Sequence, residues 1–150
     1  MKSIASTWFE CQIVFDKTMD DGTTKKVTEI YTVDALTFTE AEARITEEIM
    51  PFISGVFVIK NINPATYKEI FFSEKDKDDH WYKIKLAFIT FDEKTDKEKI
   101  TKVTYLVQAD KAEQANAYIN DIMSKAMCDY RTVNNIETTI QDVFIHESHE

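Results

Sequence analysis

The chain repeats itself at a spacing of 73 or 74 residues, and this self-similarity restricts its possible folds more than any other feature of the sequence. Trp8-Phe9-Glu10-Cys11-Gln12-Ile13-Val14-Phe15 matches Trp81-Tyr82-Lys83-Ile84-Lys85-Leu86-Ala87-Phe88 at a shift of 73, with tryptophan, aromatic, apolar and phenylalanine positions in register. Tyr31-Thr32-Val33-Asp34-Ala35 answers Tyr105-Leu106-Val107-Gln108-Ala109 at 74, the added residue falling in a hairpin turn, where insertions are tolerated. Ala41, Ile45 and Ile49 fall on Ala115, Ile119 and Met123, an i, i+4, i+8 apolar stripe in each of two helices. Residues 56–62 match 130–136 at 74, and residues 68–72 match 141–145 at 73. The order predicts an α+β chain: a tandem repeat of a strand-strand-helix-strand-strand unit, with antiparallel sheets, one helix per half and pseudo-twofold symmetry. A helix covers only one face of a small sheet, so the halves, about 7–72 and 80–145, are expected to pack as a single compact unit over 1–150.

Local signals refine this plan. Thr37 with Glu40, or Thr39 with Glu42, and Asp110 with Glu113 read as helix N-caps, each with its acidic residue three positions on. Pro51 disrupts the last turn of the first helix and Gly55 offers the way out of it. Asp21-Gly22 marks the first hairpin turn, and residues 92–99 form its glycine-free counterpart. Asn63-Pro64-Ala65 and the pair Asn134, Asn135 read as turn formers. The polar run from Ser73 to Asp79 is the candidate boundary between halves. On the strand from Trp81, Lys83 and Lys85 share the Trp81 face, with Ala87 and Ile89 beyond them, which predicts a strand passing from a solvated edge into an interface.

Two glycines and two prolines leave no tethering linker and no glycine-rich phosphate loop. No apolar stretch of signal-peptide or membrane-span length occurs, so a cytoplasmic setting without a membrane partner is expected. Cys11 and Cys128 read as two buried free thiols. The net charge of -9 repels a phosphate backbone at long range.

Catalytic patterns are absent. Cys11 sits in an apolar strand, and Cys128 follows the second helix, where the dipole does not lower a thiol pKa. His146-Glu147-Ser148-His149-Glu150 is rich in metal ligands but terminal, and His80 beside Asp78 and Asp79 reads as a surface histidine. Arg44 pairs with Glu40 or Glu48 at helical spacing as ordinary surface chemistry. No catalytic, metal or cofactor residues are assigned, and no cofactor is expected.

Thr7-Trp8-Phe9-Glu10-Cys11, the segment from Tyr31 to Arg44 and Pro51-Phe52-Ile53-Ser54-Gly55 resemble a family of small uncharacterised proteins from Bacteroides-type bacteria and their phages. Trp81-Tyr82-Lys83, Asp92-Glu93-Lys94 and Asp142-Val143-Phe144 extend the likeness across nearly the whole chain, and the polar tail from Ile145 departs from it. The resemblance implies a bacterial or phage origin and the cytoplasm of a bacterium or infected host cell; it implies no activity.

These readings favour binding, assembly or regulation over catalysis. The first expectation is a non-enzymatic accessory or regulatory protein with a protein partner, or one that self-associates through sheet edges. The alternative is a single-stranded nucleic-acid-binding protein of a phage or mobile-element replication system, stacking bases on Trp8, Phe9, Trp81 and Tyr82, with Gln12, Lys83 and Lys85 beside them. An acidic nucleic-acid mimic would need carboxylates spaced along one face, whereas here they are interleaved with cations.

Overall fold

The structure, a computed structural model, describes residues 1–146. Among them the chain order is β1 (Lys2–Ala5), β2 (Trp8–Thr18), β3 (Thr24–Asp34), α1 (Phe38–Ile49), β4 (Phe57–Pro64), β5 (Glu69–Phe72), β6 (His80–Asp92), β7 (Lys97–Ala109), α2 (Ala112–Lys125), β8 (Tyr130–Glu137) and β9 (Ile140–Phe144). The protein is α+β, with two sheets, two helices and strand as its main component. It divides into two compact units, one of Met1–Ala5 with Thr66–Thr138, the other of Ser6–Ala65 with the chain from Thr139 onward.

The second of these units holds a four-stranded sheet in the order β4-β2-β3-β9. Strands β2 and β3 pair from Trp8↔Asp34 to Thr18↔Thr24. Gly22, at φ +85°, closes their turn, where the Asp21 carboxylate accepts the Thr23 N–H at 3.0 Å and hydroxyl at 2.6 Å. Of the two possible caps on α1, Thr37 with Glu40 forms. The Thr37 hydroxyl accepts the Glu40 N–H at 3.1 Å, and the Glu40 carboxylate accepts the Leu36 N–H at 3.2 Å. Pro51 enters a 3-10 turn, Met50–Phe52, and Gly55, at φ +108°, turns the chain toward β4. Ala41, Ile45 and Ile49 bury the helix stripe on Phe9, Cys11, Ile13 and Val33.

The other unit holds a five-stranded sheet in the order β1-β5-β7-β6-β8, with Ala115, Ile119 and Met123 of α2 packed on Tyr82, Ile84, Leu86 and Val107. Helix α2 begins after Lys111 and has no side-chain cap. Asp110 stands one residue too early, at the position matching Leu36, so the expected Asp110 cap does not form.

The last strand of each sequence half pairs with a strand of the other half. β5 lies parallel to β7 (Glu69↔Tyr105, Ile70↔Leu106, Phe71↔Val107), and β9 lies parallel to β3 (Tyr31↔Asp142, Thr32↔Val143, Val33↔Phe144). The sheets are therefore mixed, which corrects the expected antiparallel pairing. Alternation along a strand records which face is buried, and leaves its neighbour and direction open. The polar loop from Ser73 to Asp79 stays inside the five-stranded unit, and the chain passes between units after Ala5, Ala65 and Thr138. β1, with Ile4 as its one buried side chain, pairs with β5 and has no repeat counterpart in the sequence.

Three further expectations are corrected. β6 is an interior strand between β7 and β8; its Trp81 end is buried and its far end, Thr90, Phe91 and Asp92, is exposed. Asn134 and Asn135 lie within β8, where Asn135 Nδ2 donates to the Ala112 carbonyl at 3.0 Å. Cys11 is buried, but Cys128 is exposed because it lies in the short connection between α2 and β8; both thiols are free.

The exchange of strands yields a test. Phe71 is buried in the cluster that α2 covers, so Phe71→Ala should cost about 3–5 kcal/mol in urea unfolding. Amide exchange should quicken in β7 and α2 and stay unchanged in β2 and α1. Loss of protection confined to β2 and α1 would place β5 against its own sequence half.

Candidate functional site

The six residues expected to contact a macromolecule divide by burial. Trp8 is 1% exposed and Trp81 3%, and Phe9 and Tyr82 are equally enclosed. Phe9 meets Phe38 edge-on at 5.1 Å and Trp81 meets Phe72 edge-on at 5.6 Å. Stacking a base requires an open ring face, and all four rings are enclosed in the folded chain. Lys83 is half-buried with its Nζ 5.6 Å from the Tyr67 ring centre, and Lys85 is half-buried farther along β6. Gln12 accepts from Asn61 Nδ2 at 3.1 Å.

What these β-strands do instead is hold backbone. The Trp8 carbonyl accepts the Ala65 N–H at 2.9 Å, and the Trp81 carbonyl accepts the Thr138 N–H at the same distance, a shift of 73. At the ends of the long strands, the Asp34 carboxylate accepts the His146 N–H at 2.8 Å and the Gln108 amide oxygen accepts the Ser73 N–H at 2.9 Å. In each unit a polar side chain thus ties down the backbone just beyond the parallel strand. Bulges also recur at Gln12/Ile13 and Lys85/Leu86.

Asp34 is a feature that sequence spacing did not single out. Its carboxylate is buried, and Arg44 reaches it at 3.4 Å while also pairing with Glu40, so Arg44 does more than the surface chemistry expected of it. The Leu36 N–H, and then Arg44, hold the Glu40 carboxyl below its usual range. A cleft of about 200 Å³ opens beside this pair, walled by Val33, Asp34, Arg44, Glu47, Glu48 and His146. Only burial distinguishes Asp34 from other strand-end polar residues, and burial is a property of the folded chain.

An open apolar run follows α1 in the chain. Met50 is 61% exposed, Phe52 76%, Val56 86% and Val58 59%, four large apolar side chains within nine consecutive residues. Residues 49–59 carry no charge, in a chain of which 30% is charged. The run leads into β4, an edge strand of its sheet. Scattered exposed apolar side chains are ordinary; a local concentration of them marks an interaction surface.

The remaining polar clusters support the fold. Asp78 in the β5–β6 loop accepts from Ser73 Oγ and from Tyr118 Oη, the latter at 2.6 Å. Burial pushes the Asp78 carboxyl up, but these bonds outweigh it and hold the group below its ordinary value. His80 is exposed and contacts Asp79 at 2.7 Å. Among the described residues no group of three or more His, Cys, Asp or Glu could hold a metal ion; Glu147, Ser148, His149 and Glu150 of the terminal ligand-rich run lie outside them. Burial, with Glu10 nearby, pushes the Cys11 thiol up to about 12, so it keeps its proton at neutral pH and is not a nucleophile. Among the described residues no helix is long and apolar enough to cross a membrane.

Two outcomes follow from this chemistry. In the native protein at neutral pH a thiol reagent should modify Cys128 and leave Cys11 untouched until denaturant is added; fast modification of both would contradict the burial of Cys11. Asp34→Ala leaves Arg44 and the His146 N–H short of an acceptor and should cost about 1–3 kcal/mol in thermal unfolding, whereas Asp34→Asn, which keeps an acceptor oxygen, should cost less.

None of the curated proteins and none of the solved structures matches the chain. A family model does, over residues 7–146, nearly the whole of both units just described. The chain therefore belongs to the DUF4494 family, a domain of unknown function.

Proposed function

We propose that this chain is a non-enzymatic accessory or regulatory protein whose partner is another protein, acting in the cytoplasm of a Bacteroides-type bacterium or of its phage-infected host. The observation that carries the reading is the open apolar run at Met50, Phe52, Val56 and Val58. At a shift of 74 their counterparts are Ser124, Ala126, Tyr130 and Thr132, around a helix and edge strand of the same order. A similar arrangement of elements is thus built with one large exposed apolar side chain, Met127, in place of four, so the fold does not require the run. Desolvating them against a partner would contribute about 25 cal/mol per Å² of apolar surface removed from water.

The two sequence halves, about 7–72 and 80–145, are also read as products of one duplicated strand-strand-helix-strand-strand ancestor. The repeated element order, the paired carbonyl contacts of Trp8 and Trp81, and the matching side-chain ties from Asp34 and Gln108 support this. A duplicated scaffold leaves one copy free to keep the fold while the other gains a surface. The nucleic-acid alternative is weakened by the enclosure of all four stacking rings and by the charge of -9.

Capture from a host lysate, with and without nuclease, tests the reading when wild type is compared with the double variant Met50→Ser, Phe52→Ser. The expected result is a stoichiometric protein that survives nuclease and is lost with the variant, the variant's circular dichroism being unchanged. Recovery of nucleic acid, with any protein lost after nuclease, would reject it in favour of strand binding.

A further inference from the structure

The open apolar run has a charged neighbour. Glu40, Glu42, Glu47 and Glu48 lie on α1 against one cation, Arg44, which is held by Asp34 and Glu40. Glu47 and Glu48 are exposed on its last turn and also wall the cleft beside Asp34. Met50 keeps helical backbone angles and donates its N–H to the Thr46 carbonyl. Glu47 and Met50 are therefore neighbours one turn apart, and carboxylates border the apolar side chains directly. At the shift of 74, Glu40, Glu42, Arg44 and Glu48 correspond to Gln114, Asn116, Tyr118 and Ile122, leaving Asp121 as the one retained acid, at the position of Glu47. The first half thus has four acids on its helix and four exposed large apolar side chains after it, where the second has Glu113 and Asp121 on its helix and Met127 in the matching stretch after it, so the two features are enriched together.

We propose that this surface takes a basic amphipathic segment of a protein partner, its apolar side chains on Met50 and Phe52 and its lysine or arginine side chains against Glu47 and Glu48. The proposal rests on the protein-binding reading and adds the partner's chemistry. Apolar contact supplies the affinity, while carboxylates at the rim select a cationic sequence and speed its approach. The chain's overall charge acts in the same direction, so the local contribution has to be separated from the net field.

The experiment uses the full chain and a fluorescein-labelled peptide of leucine and lysine in helical spacing, with a second peptide carrying glutamate in place of lysine. Binding is followed by fluorescence anisotropy. Wild type should bind the lysine peptide and ignore the glutamate one. The variants Glu47→Lys, Glu48→Lys and Met50→Ser, Phe52→Ser should each weaken binding by about tenfold or more. A control pair in the β6–β7 hairpin region, Glu93→Lys with Glu98→Lys, makes the same change in net charge and should weaken it less than about twofold at physiological salt. Equal weakening by the control, or preference for the glutamate peptide, or no binding of the lysine peptide, would overturn the proposal. If a captured protein is lost with Met50→Ser, Phe52→Ser but kept by Glu47→Lys, Glu48→Lys, the basic-segment inference fails while the protein-binding reading stands.

Discussion

The parallel pairing of β5 on β7 and of β9 on β3 is the constraint on which the rest of the structure depends. Each sheet takes its main hairpin from one half of the chain and a parallel strand from the other, so neither core is complete until distant segments have met. Val143 and Ile140 are buried by β9's place in the four-stranded unit, as Ile70 and Phe71 are by β5's in the five-stranded one. Parallel strands cannot be joined by a tight turn, and closing such long connections costs chain entropy before any contact returns it. The long antiparallel hairpins β2–β3 and β6–β7 offset this cost, since they form locally and offer ready edges.

Once the parallel strands are in place, polar side chains at the ends of the hairpins become structural. Asp34 and Gln108 stand at matching positions, and each accepts the N–H of the first or second residue past a parallel strand. Chemically they differ. Gln108 is neutral and asks for no counter-charge, whereas buried Asp34 needs a cation, which Arg44 supplies from α1. Arg44 and Asp34 together form one wall of the cleft beside α1.

The helices' outer surfaces differ as well. Both helices bury an i, i+4, i+8 stripe, so the core constrains them alike. Away from the stripe nothing in the fold dictates composition, and there α1 carries acidic side chains followed by a charge-free, exposed apolar run. Positions released from the demands of packing are the ones at which a partner can leave its mark, and the proposed partner surface consists of such positions.

The sequence by itself determined the order of the elements after β1, the stripes of both helices, a threonine cap at Thr37 or Thr39, the Asp21-Gly22 turn and the stop at Pro51. Each follows from short-range sterics or from hydrogen bonds within a few residues, which spacing records directly. Tertiary structure alone decided which sheet β5 and β9 join, that β6 is interior, that Trp8, Phe9, Trp81 and Tyr82 are core and not surface, and that Cys128 is exposed. An aromatic in an alternating strand has the same pattern whether its face meets solvent or packing, and a strand's period is silent about its neighbour. Burial and pairing depend on contacts between residues far apart in the chain, and that Met50, Phe52, Val56 and Val58 lie open to solvent is a property of the fold that their spacing in the sequence does not record.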